Sequence, residues 1–382
     1  MSGTDLTAEL VERPATPVNA EAEPALALAS QRTLIWRRFK RNRLAVISLW
    51  IVGFIYLTAA FCEFVAPQGQ DTYAADRAFA PPQLVKISLT SSPHVFVNGY
   101  TGTPNPETLL RDYTVDKSQR YGVRLFPKGD EYKLWGLISW DRHLVGASKH
   151  GAPFHLLGTD EQGRDQFSRL IYGTRISMSV GLIGVTAALV LGLLLGGISG
   201  YFGGLTDGIV QRVIEFFMSI PTLPLWLGLA AAVPPGWSAV KTYFAITLIL
   251  SLIGWTGLAR VIRSRFLQIR DEDFVLAAEL DGARWYRVVG RHMLPAFTSH
   301  IIASLTLAVP GMILGETALS FLGLGLQAPA VSWGVLLGDA QSIRVLSAAP
   351  WLLSSAAAVV IAVLALNFVG DGLRDAADPY ES

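Results

Sequence analysis

The chain is poor in charged residues. Asp, Glu, Lys and Arg make up 16% of its 382 residues, whereas about 25% is usual for a soluble domain. The 31 basic residues are balanced by 30 acidic ones, so the composition excludes a strongly basic surface for nucleic acid. Cys62 is the one cysteine, which excludes an intramolecular disulfide and a zinc site built from cysteines.

Motifs of catalysis and of nucleotide binding are also missing. No lysine follows a glycine anywhere in the sequence, so there is no Walker A loop and no ATP site within this chain. H-E-x-x-H and G-x-S-x-G are absent too. We therefore expect no catalytic residue, no metal site and no cofactor in this chain, and any uphill transport would draw its energy from a partner.

Apolar residues are what the chain has in excess. They make up 51% of the sequence, and a helix needs about 20 of them to cross the hydrocarbon core of a bilayer. Uncharged runs of that kind predict an all-α integral membrane protein with six spans, at 44–62, 176–206, 216–240, 242–259, 293–315 and 345–370. A further run at 317–338 is rich in glycine and contains Pro329, so we predict a loop or short helix at the membrane surface there, with a seventh span as the alternative.

Charge next to the first span predicts the orientation. Residues 36–43 carry five positive charges and no negative one, which places the N-terminus in the cytosol by the positive-inside rule, and six spans return the C-terminus to the same side. We expect a disordered cytoplasmic segment at 1–35, the first span with its basic flank at 36–66, a periplasmic insertion at 67–155 and a five-helix core at 156–380. The insertion contains short alternating runs that predict a small β-containing domain; an extended loop is the alternative.

Two smaller features concern packing. Gly192, Gly196, Gly200 and Gly204 recur every four residues, which favours close helix packing over a sliding surface used in gating. Pro221 and Pro224 are expected to bend the first turn of the third span.

Glu316 is a carboxylate at the edge of a span. Two interpretations stay open: it faces a cavity near the outer gate, or it snorkels to the membrane boundary. Glu316 and Ser320 are therefore the candidate pathway residues.

The segment 276–297, LAAELDGARWYRVVGRHMLPAF, lies between the fourth and fifth spans. Ala277, Ala278, Gly282 and Ala283 predict a patch of small residues that another protein could approach closely, and Arg284 could pair with a carboxylate there. An ordinary basic loop is the alternative.

This segment resembles the cytoplasmic loop of ABC importer permeases, E-A-A-x-x-x-G-x9-I-x-L-P. Ala277, Ala278, Gly282, Leu294 and Pro295 match in register, while Leu276 and His292 replace the Glu and the Ile. The segments 156–177, 319–334 and 367–379 resemble the dipeptide/oligopeptide/nickel branch of the same family.

The resemblance implies a type I ABC importer permease fold in the bacterial inner membrane. It implies a coupling loop at 263–297, whose 275–291 part docks on ATPase subunits that bind ATP and Mg. The implied partners are a homologous second permease, two ATP-binding subunits, an external solute-binding protein and membrane lipid. Peptides are the implied cargo, with oligosaccharides or nickel as alternatives. A self-standing channel or secondary carrier, and a membrane-anchored scaffold, are the alternatives of other classes.

Overall fold

The computed structural model describes residues 31–88, 94–107, 110–149 and 151–377. The helices that concern us are α1 (Gln31–Arg41), α2 (Arg43–Ala60), α3 (Cys62–Val65), α4 (Gln166–Phe202), α5 (Gly204–Ser219), α6 (Thr222–Ala231), α7 (Ala239–Ile269), α8 (Asp273–Leu280), α9 (Trp285–Arg287), α10 (Leu294–Ala296), α11 (Thr298–Phe321), α12 (Trp333–Asp339), α13 (Ile343–Ala348) and α14 (Ser354–Ala377). We call the end of the bundle that carries the β-strands the insertion end, and the end that carries α8 the α8 end.

Five helical segments are long and apolar enough to cross a membrane. They are α2, α4, α7, α11 and the stretch Pro350–Ala377 that contains α14. The helices α5 and α6 pass the same test as a pair, with a bend of 84° between them. Counting this bent pair as one span, the prediction of six spans is confirmed for the part of the chain described.

Several predicted bounds are wrong. The third span begins at Gly204, because residues 207–215, which lie between two of the predicted spans, belong to helix α5, and Pro221 lies at the bend within the span instead of at its entry. The coupling loop expected from residue 263 is shorter, since α7 continues to Ile269. Helix α1 begins at Gln31, so disorder to residue 35 is also wrong; residues 1–30 lie outside the described residues.

Glycines bring α4 and α7 into backbone contact. A Cβ added at Gly196 would lie 2.4 Å from the carbonyl oxygen of Ala259, and one at Gly200 would lie 2.9 Å from that of Arg263. Gly204 has no such neighbour, because α4 ends at Phe202. Close packing within the chain is therefore confirmed for the first three glycines of the stripe, including Gly192.

The insertion forms two small sheets. Strands β1 (Lys86–Ser88), β2 (His94–Pro104), β3 (Arg111–Leu125) and β6 (Val145–Ala147) make an antiparallel sheet in the order β1-β2-β3-β6. Strands β4 (Lys128–Leu134) and β5 (Ile138–Arg142) make a separate hairpin. The prediction of a β-containing insertion is confirmed, and the extended-loop alternative is wrong.

The glycine-rich run at 317–338 enters the bundle. Helix α11 continues to Phe321, a loop follows, and the short helix α12 begins at Trp333, which is 2% exposed. A short helix instead of a seventh span agrees with the prediction. Val335 and Leu336 are buried with Trp333 against the bundle, so this helix packs within the protein.

Candidate functional site

The region between α7 and α11, residues 270–297, is called the α8 segment here. Helix α8 ends in a left-handed turn: Gly282 has φ +76°, its N–H donates to the carbonyl of Glu279 at 2.9 Å, and the N–H of Ala283 donates to that of Ala278 at 3.1 Å. This is a glycine C-cap. A Cβ at Gly282 would meet no atom within 4 Å, so within this chain it is the backbone conformation that requires glycine.

The expected docking residues do not share one surface. Ala278 is buried in a cluster with Phe266, Val275, Val288 and Phe297, which joins α8 to the ends of α7 and α11. The remaining expected residues divide by exposure: Ala277, Gly282, Arg284 and Pro295 are exposed, and Leu294 is half-buried.

Apolar side chains cover the outer face of the α8 segment. Leu280 is 88% exposed, and four more large apolar or aromatic residues are exposed with it, namely Phe274, Leu276, Trp285 and Tyr286. The sequence analysis missed this surface. The signal was present, because these residues are large and apolar in a segment otherwise rich in charge, and an exposed apolar patch of this kind marks an interaction site.

Polar contacts connect the α8 segment and its neighbours to the bundle. The hydroxyl of Tyr201, at the end of α4, donates to Glu279 of α8 at 2.7 Å. Asp207 at the start of α5 accepts two hydrogen bonds of 2.5 Å from the guanidinium of Arg263 on α7. The α8 end of the bundle is therefore stabilised by the apolar cluster, by the Tyr201–Glu279 hydrogen bond and by the Arg263–Asp207 ion pair.

Glu316 lies inside the insertion end of the bundle and is 0% exposed. Its carboxylate accepts hydrogen bonds from Ser320 at 2.8 Å, from Ser332 at 2.7 Å and from Ser177 at 3.3 Å. Snorkelling is therefore wrong, because the carboxylate does not reach the boundary. A cavity-facing position is also wrong for this structure, because the chain's own serines enclose the group.

The three serines are themselves acceptors. Ser177 accepts from the N–H of Trp333 at 3.0 Å and Ser320 from that of Leu326 at 3.0 Å. Ser332 caps α12 by accepting from the N–H of Val335 at 3.2 Å. Glu316 thus holds the loop 322–332 and α12 against α4 and α11.

A second buried polar network lies at the start of α4. Arg169 contacts Asp160 at 2.6 Å and Asp339 of α12 at 3.0 Å. Asp165 caps α4, a helix of 37 residues, by accepting from the N–H of Ser168. The segment 156–177 therefore ties the insertion end together.

No group of three His, Cys, Asp or Glu side chains that could hold a metal ion occurs within residues 31–88, 94–107, 110–149 and 151–377. His150 lies outside those residues. His155 itself is buried and contacts Asp165 at 3.1 Å.

Comparisons with known proteins agree on a family. Residues 188–380 match the family described as binding-protein-dependent transport system inner membrane component, and residues 30–82 match the N-terminal transmembrane domain of oligopeptide transport permease C. The chain is 32% identical over 345 residues to the dipeptide transport system permease protein DppC of Bacillus subtilis, covering 90% of this chain and 84% of the relative.

One further relative is similar in sequence, and one solved structure is similar in fold. The oligopeptide transport system permease protein OppC of Bacillus subtilis is 37% identical over 238 residues, covering 62% of this chain and 75% of the relative. A chain of the MetNI methionine ABC transporter, solved in inward-facing conformations, superposes with a TM-score of 0.45 at 18% identity, over 55% of this chain and 97% of that one.

Proposed function

Because this chain belongs to the family of binding-protein-dependent transport system inner membrane components, we propose that it is one of two homologous permease subunits of an ATP-driven importer. It would form half of the translocation pathway and carry out no covalent chemistry itself. Two ATPase subunits would bind ATP and Mg, and an extracytoplasmic binding protein would deliver the solute.

Peptides are the cargo that we propose. The similar relatives from Bacillus subtilis are named for dipeptide and oligopeptide transport. Oligosaccharides or nickel remain the alternative within the branch. Selectivity would reside largely in the binding protein, which is another chain, and this chain would supply the path.

The observation that carries the proposal is the exposed apolar face of the α8 segment. Leu280, Trp285 and Tyr286 project from a short helix and its following turn, which are fixed to the bundle by their other face. An exposed apolar patch on a helix that packs against the bundle suits a cleft in a globular partner, with aromatic and aliphatic anchors at its centre. We assign the ATPase subunit to this patch, with Arg284 at its rim.

Movement of the α8 segment would reach the spans directly. Glu279 is bonded to Tyr201 of α4, and Val275 and Ala278 pack with Phe266 of α7. The two helices touch along the glycine stripe, so they would move together when closure of the ATPases displaces α8. Rocking of this helix pair is the step that we propose converts the inward-facing into the outward-facing permease.

The proposed orientation places the α8 end in the cytosol. The basic residues of α1, Arg37, Arg38, Lys40 and Arg41, lie at that end, in agreement with the positive-inside rule. The N-terminus and the C-terminus would both be cytoplasmic. The β-containing insertion would then face the outer compartment, where the binding protein docks.

The test is a pair of matched leucine variants in the purified complex. Leu280→Ala removes an anchor of the proposed interface, and Leu205→Ala removes an equally exposed leucine at the same end of the bundle but outside the α8 segment. We expect Leu280→Ala to weaken binding of the ATPase subunit about 5- to 30-fold, the equivalent of one or two kcal/mol. Leu205→Ala should leave binding unchanged.

Uptake into proteoliposomes separates the remaining possibilities. ATP-dependent peptide uptake that requires the ATPase subunits and the binding protein supports the proposal. Solute movement through this chain alone, driven by a gradient, would show a channel or secondary carrier instead. Equal binding of the ATPase subunit by both leucine variants would remove the α8 segment from the coupling.

A further inference from the structure

The hairpin formed by β4 and β5 sits at the end of the first span. The indole N–H of Trp135, in the turn of the hairpin, donates to the carbonyl of Ala60 at 2.7 Å, and the rings of Trp135 and Phe61 are 5.4 Å apart. Ala60 is the last residue of α2. The turn of the hairpin is therefore at the level where the first span leaves the hydrocarbon.

Other contacts fix the hairpin at this height. The ring of Trp140 on β5 lies 6.1 Å from that of Phe64 in α3. The N–H of Leu144, just beyond β5, donates to the carbonyl of Phe64 at 2.7 Å. Arg175 of α4 donates to the same Ala60 carbonyl at 3.0 Å, so the end of α2 is held between α4 and the hairpin.

The turn is apolar and exposed. Residues 134–140, LWGLISW, contain no charged side chain. Leu137 is 82% exposed, and Trp135, Ile138 and Trp140 are each about half exposed. A contiguous exposed apolar surface of this kind marks a site of contact with a membrane or with another protein.

Two local features suit the turn to a poorly hydrated environment. The indole donor of Trp135 is already satisfied by Ala60, so the ring can leave water without an unpaired N–H. Trp135 has φ +51°, a conformation that a bulky residue adopts only when its surroundings hold it there. The contacts with Ala60 and Phe61 are what hold it.

The exposed turn continues the lipid-facing side of the first span. Trp50, Phe54 and Leu57 follow one another at helical spacing on α2, and all three are exposed in this chain. Phe61 lies one turn beyond Leu57 and contacts Trp135. The apolar surface therefore runs without interruption from the middle of α2 to the hairpin.

We propose that the turn of the β4–β5 hairpin, Trp135 to Ile138, inserts into the adjacent leaflet of the bilayer as a lipid anchor for the insertion. Trp135 and Trp140 occupy the interfacial layer, where tryptophan is enriched in membrane proteins. Leu137 and Ile138 contact acyl chains, and the exposed Lys133 lies at the level of the headgroups. The anchor fixes the height of the insertion above the membrane.

Site-directed spin labelling in nanodiscs tests this proposal. Cys62→Ser removes the one native cysteine, and Leu137→Cys places the label on the turn. Leu57→Cys is the membrane control. Val115→Cys is the aqueous control, because Val115 is exposed on β3. It lies ten residues, about 33 Å along an extended strand, before Leu125, the residue that ends β3 and is followed by the hairpin. Collision of each label with oxygen, which partitions into lipid, and with a water-soluble nickel chelate is measured.

We expect the oxygen-to-nickel collision ratio at position 137 to approach that at position 57 and to exceed that at position 115. A ratio equal to that at position 115 would overturn the proposal, because the turn would then lie in water. Exclusion of both reagents with an immobilised label would also overturn it, because a protein surface would then cover the turn. Ile138→Cys repeats the measurement one residue away, should Leu137→Cys fail to fold.

Discussion

Arg169 and Asp160 form an ion pair of 2.6 Å in which both side chains are almost completely buried. They are nine positions apart in the chain, Asp160 in the loop before α4 and Arg169 in the first turn of that helix. The same guanidinium contacts Asp339 of α12. The pair therefore connects the entry of α4 to the loop and short helix that follow α11.

Breaking this ion pair should destabilise the protein strongly. Asp160→Asn leaves the buried Arg169 with only the partly exposed Asp339 as a charge partner, and removing one partner of a buried pair costs about 3–5 kcal/mol. Thermal unfolding in detergent measures the effect. Asp339→Asn is the control and should cost less, because Asp339 is partly exposed. Equal losses for the two variants would contradict the assignment.

The Glu316 cluster predicts a difference between two substitutions. Glu316→Gln keeps an acceptor for Ser320 and Ser332 and can donate its amide to Ser177, so stability should change little. Glu316→Leu leaves these buried hydroxyls without their acceptor, at about 1–3 kcal/mol for each group. Thermal unfolding and uptake are measured for both. Loss of uptake in a stable Glu316→Gln protein would give the carboxylate a role in transport beyond holding the loop.

The left-handed turn after α8 predicts which residues position 282 accepts. Gly282→Ala has room for its Cβ but adopts a strained φ, at about 1–2 kcal/mol, whereas Gly282→Asn tolerates that conformation better. We expect ATPase-coupled uptake to fall in the order Gly, Asn, Ala. Gly290→Ala is the control, since its Cβ also meets no neighbour and its φ is not left-handed. Wild-type uptake in Gly282→Ala would show that the turn does not matter.

Contact between α4 and α7 predicts intolerance of a single methyl group. Gly196→Ala would force the two backbones apart, and overpacking of this kind costs about 1–3 kcal/mol. Gly208→Ala in α5 is the matched control, because its Cβ would meet nothing within 4 Å and alanine is the better helix former. Unfolding temperatures should move in opposite directions. A Gly196→Ala protein as stable as wild type would show that the helices separate easily.

Glu63 predicts a loss of stability in acid. Burial disfavours its carboxylate, but the hydrogen bonds from Arg175, at 2.5 and 2.6 Å, act together with the charge of Arg175 and with hydrogen bonds from the backbone and from Cys62 to hold the pKa of Glu63 below its usual value. The stabilisation is therefore complete above the pKa of an unfolded glutamate, about 4.3, and is lost as the pH falls through the lower folded value. Glu63→Gln should remove this part of the pH dependence. An unchanged acid profile would contradict the role of the pair.

Much of the fold follows from local composition, because a bilayer demands long apolar helices whatever the tertiary contacts are. Prediction failed where a charge interrupts a span. Asp207 ended one apolar run, so that 207–215 was left outside the predicted spans, yet Arg263, 56 residues away, neutralises it within the helical bundle. A local pattern contains no information about such a partner.

In the candidate site too, the local sequence predicted some features, while others depend on residues that are distant in the chain. The motif identified the α8 segment, but it did not indicate that Gly282 serves a backbone turn or that Ala278 faces inward. For Glu316, one interpretation placed the carboxylate in a cavity and the other at the membrane boundary, since a carboxylate in an apolar run is costly. Its partners Ser177 and Ser332 are 139 and 16 residues distant in the chain, and only the fold brings them together.

The length of α4 has a mechanical consequence. Its 37 residues extend for about 55 Å at the rise of an α-helix. Tyr201 near one end holds α8, and Arg169 near the other holds α12. Because its glycines press against a second helix, the rod resists bending, so a tilt imposed at Tyr201 displaces α12 at the far side of the bilayer without any intervening rearrangement of side chains.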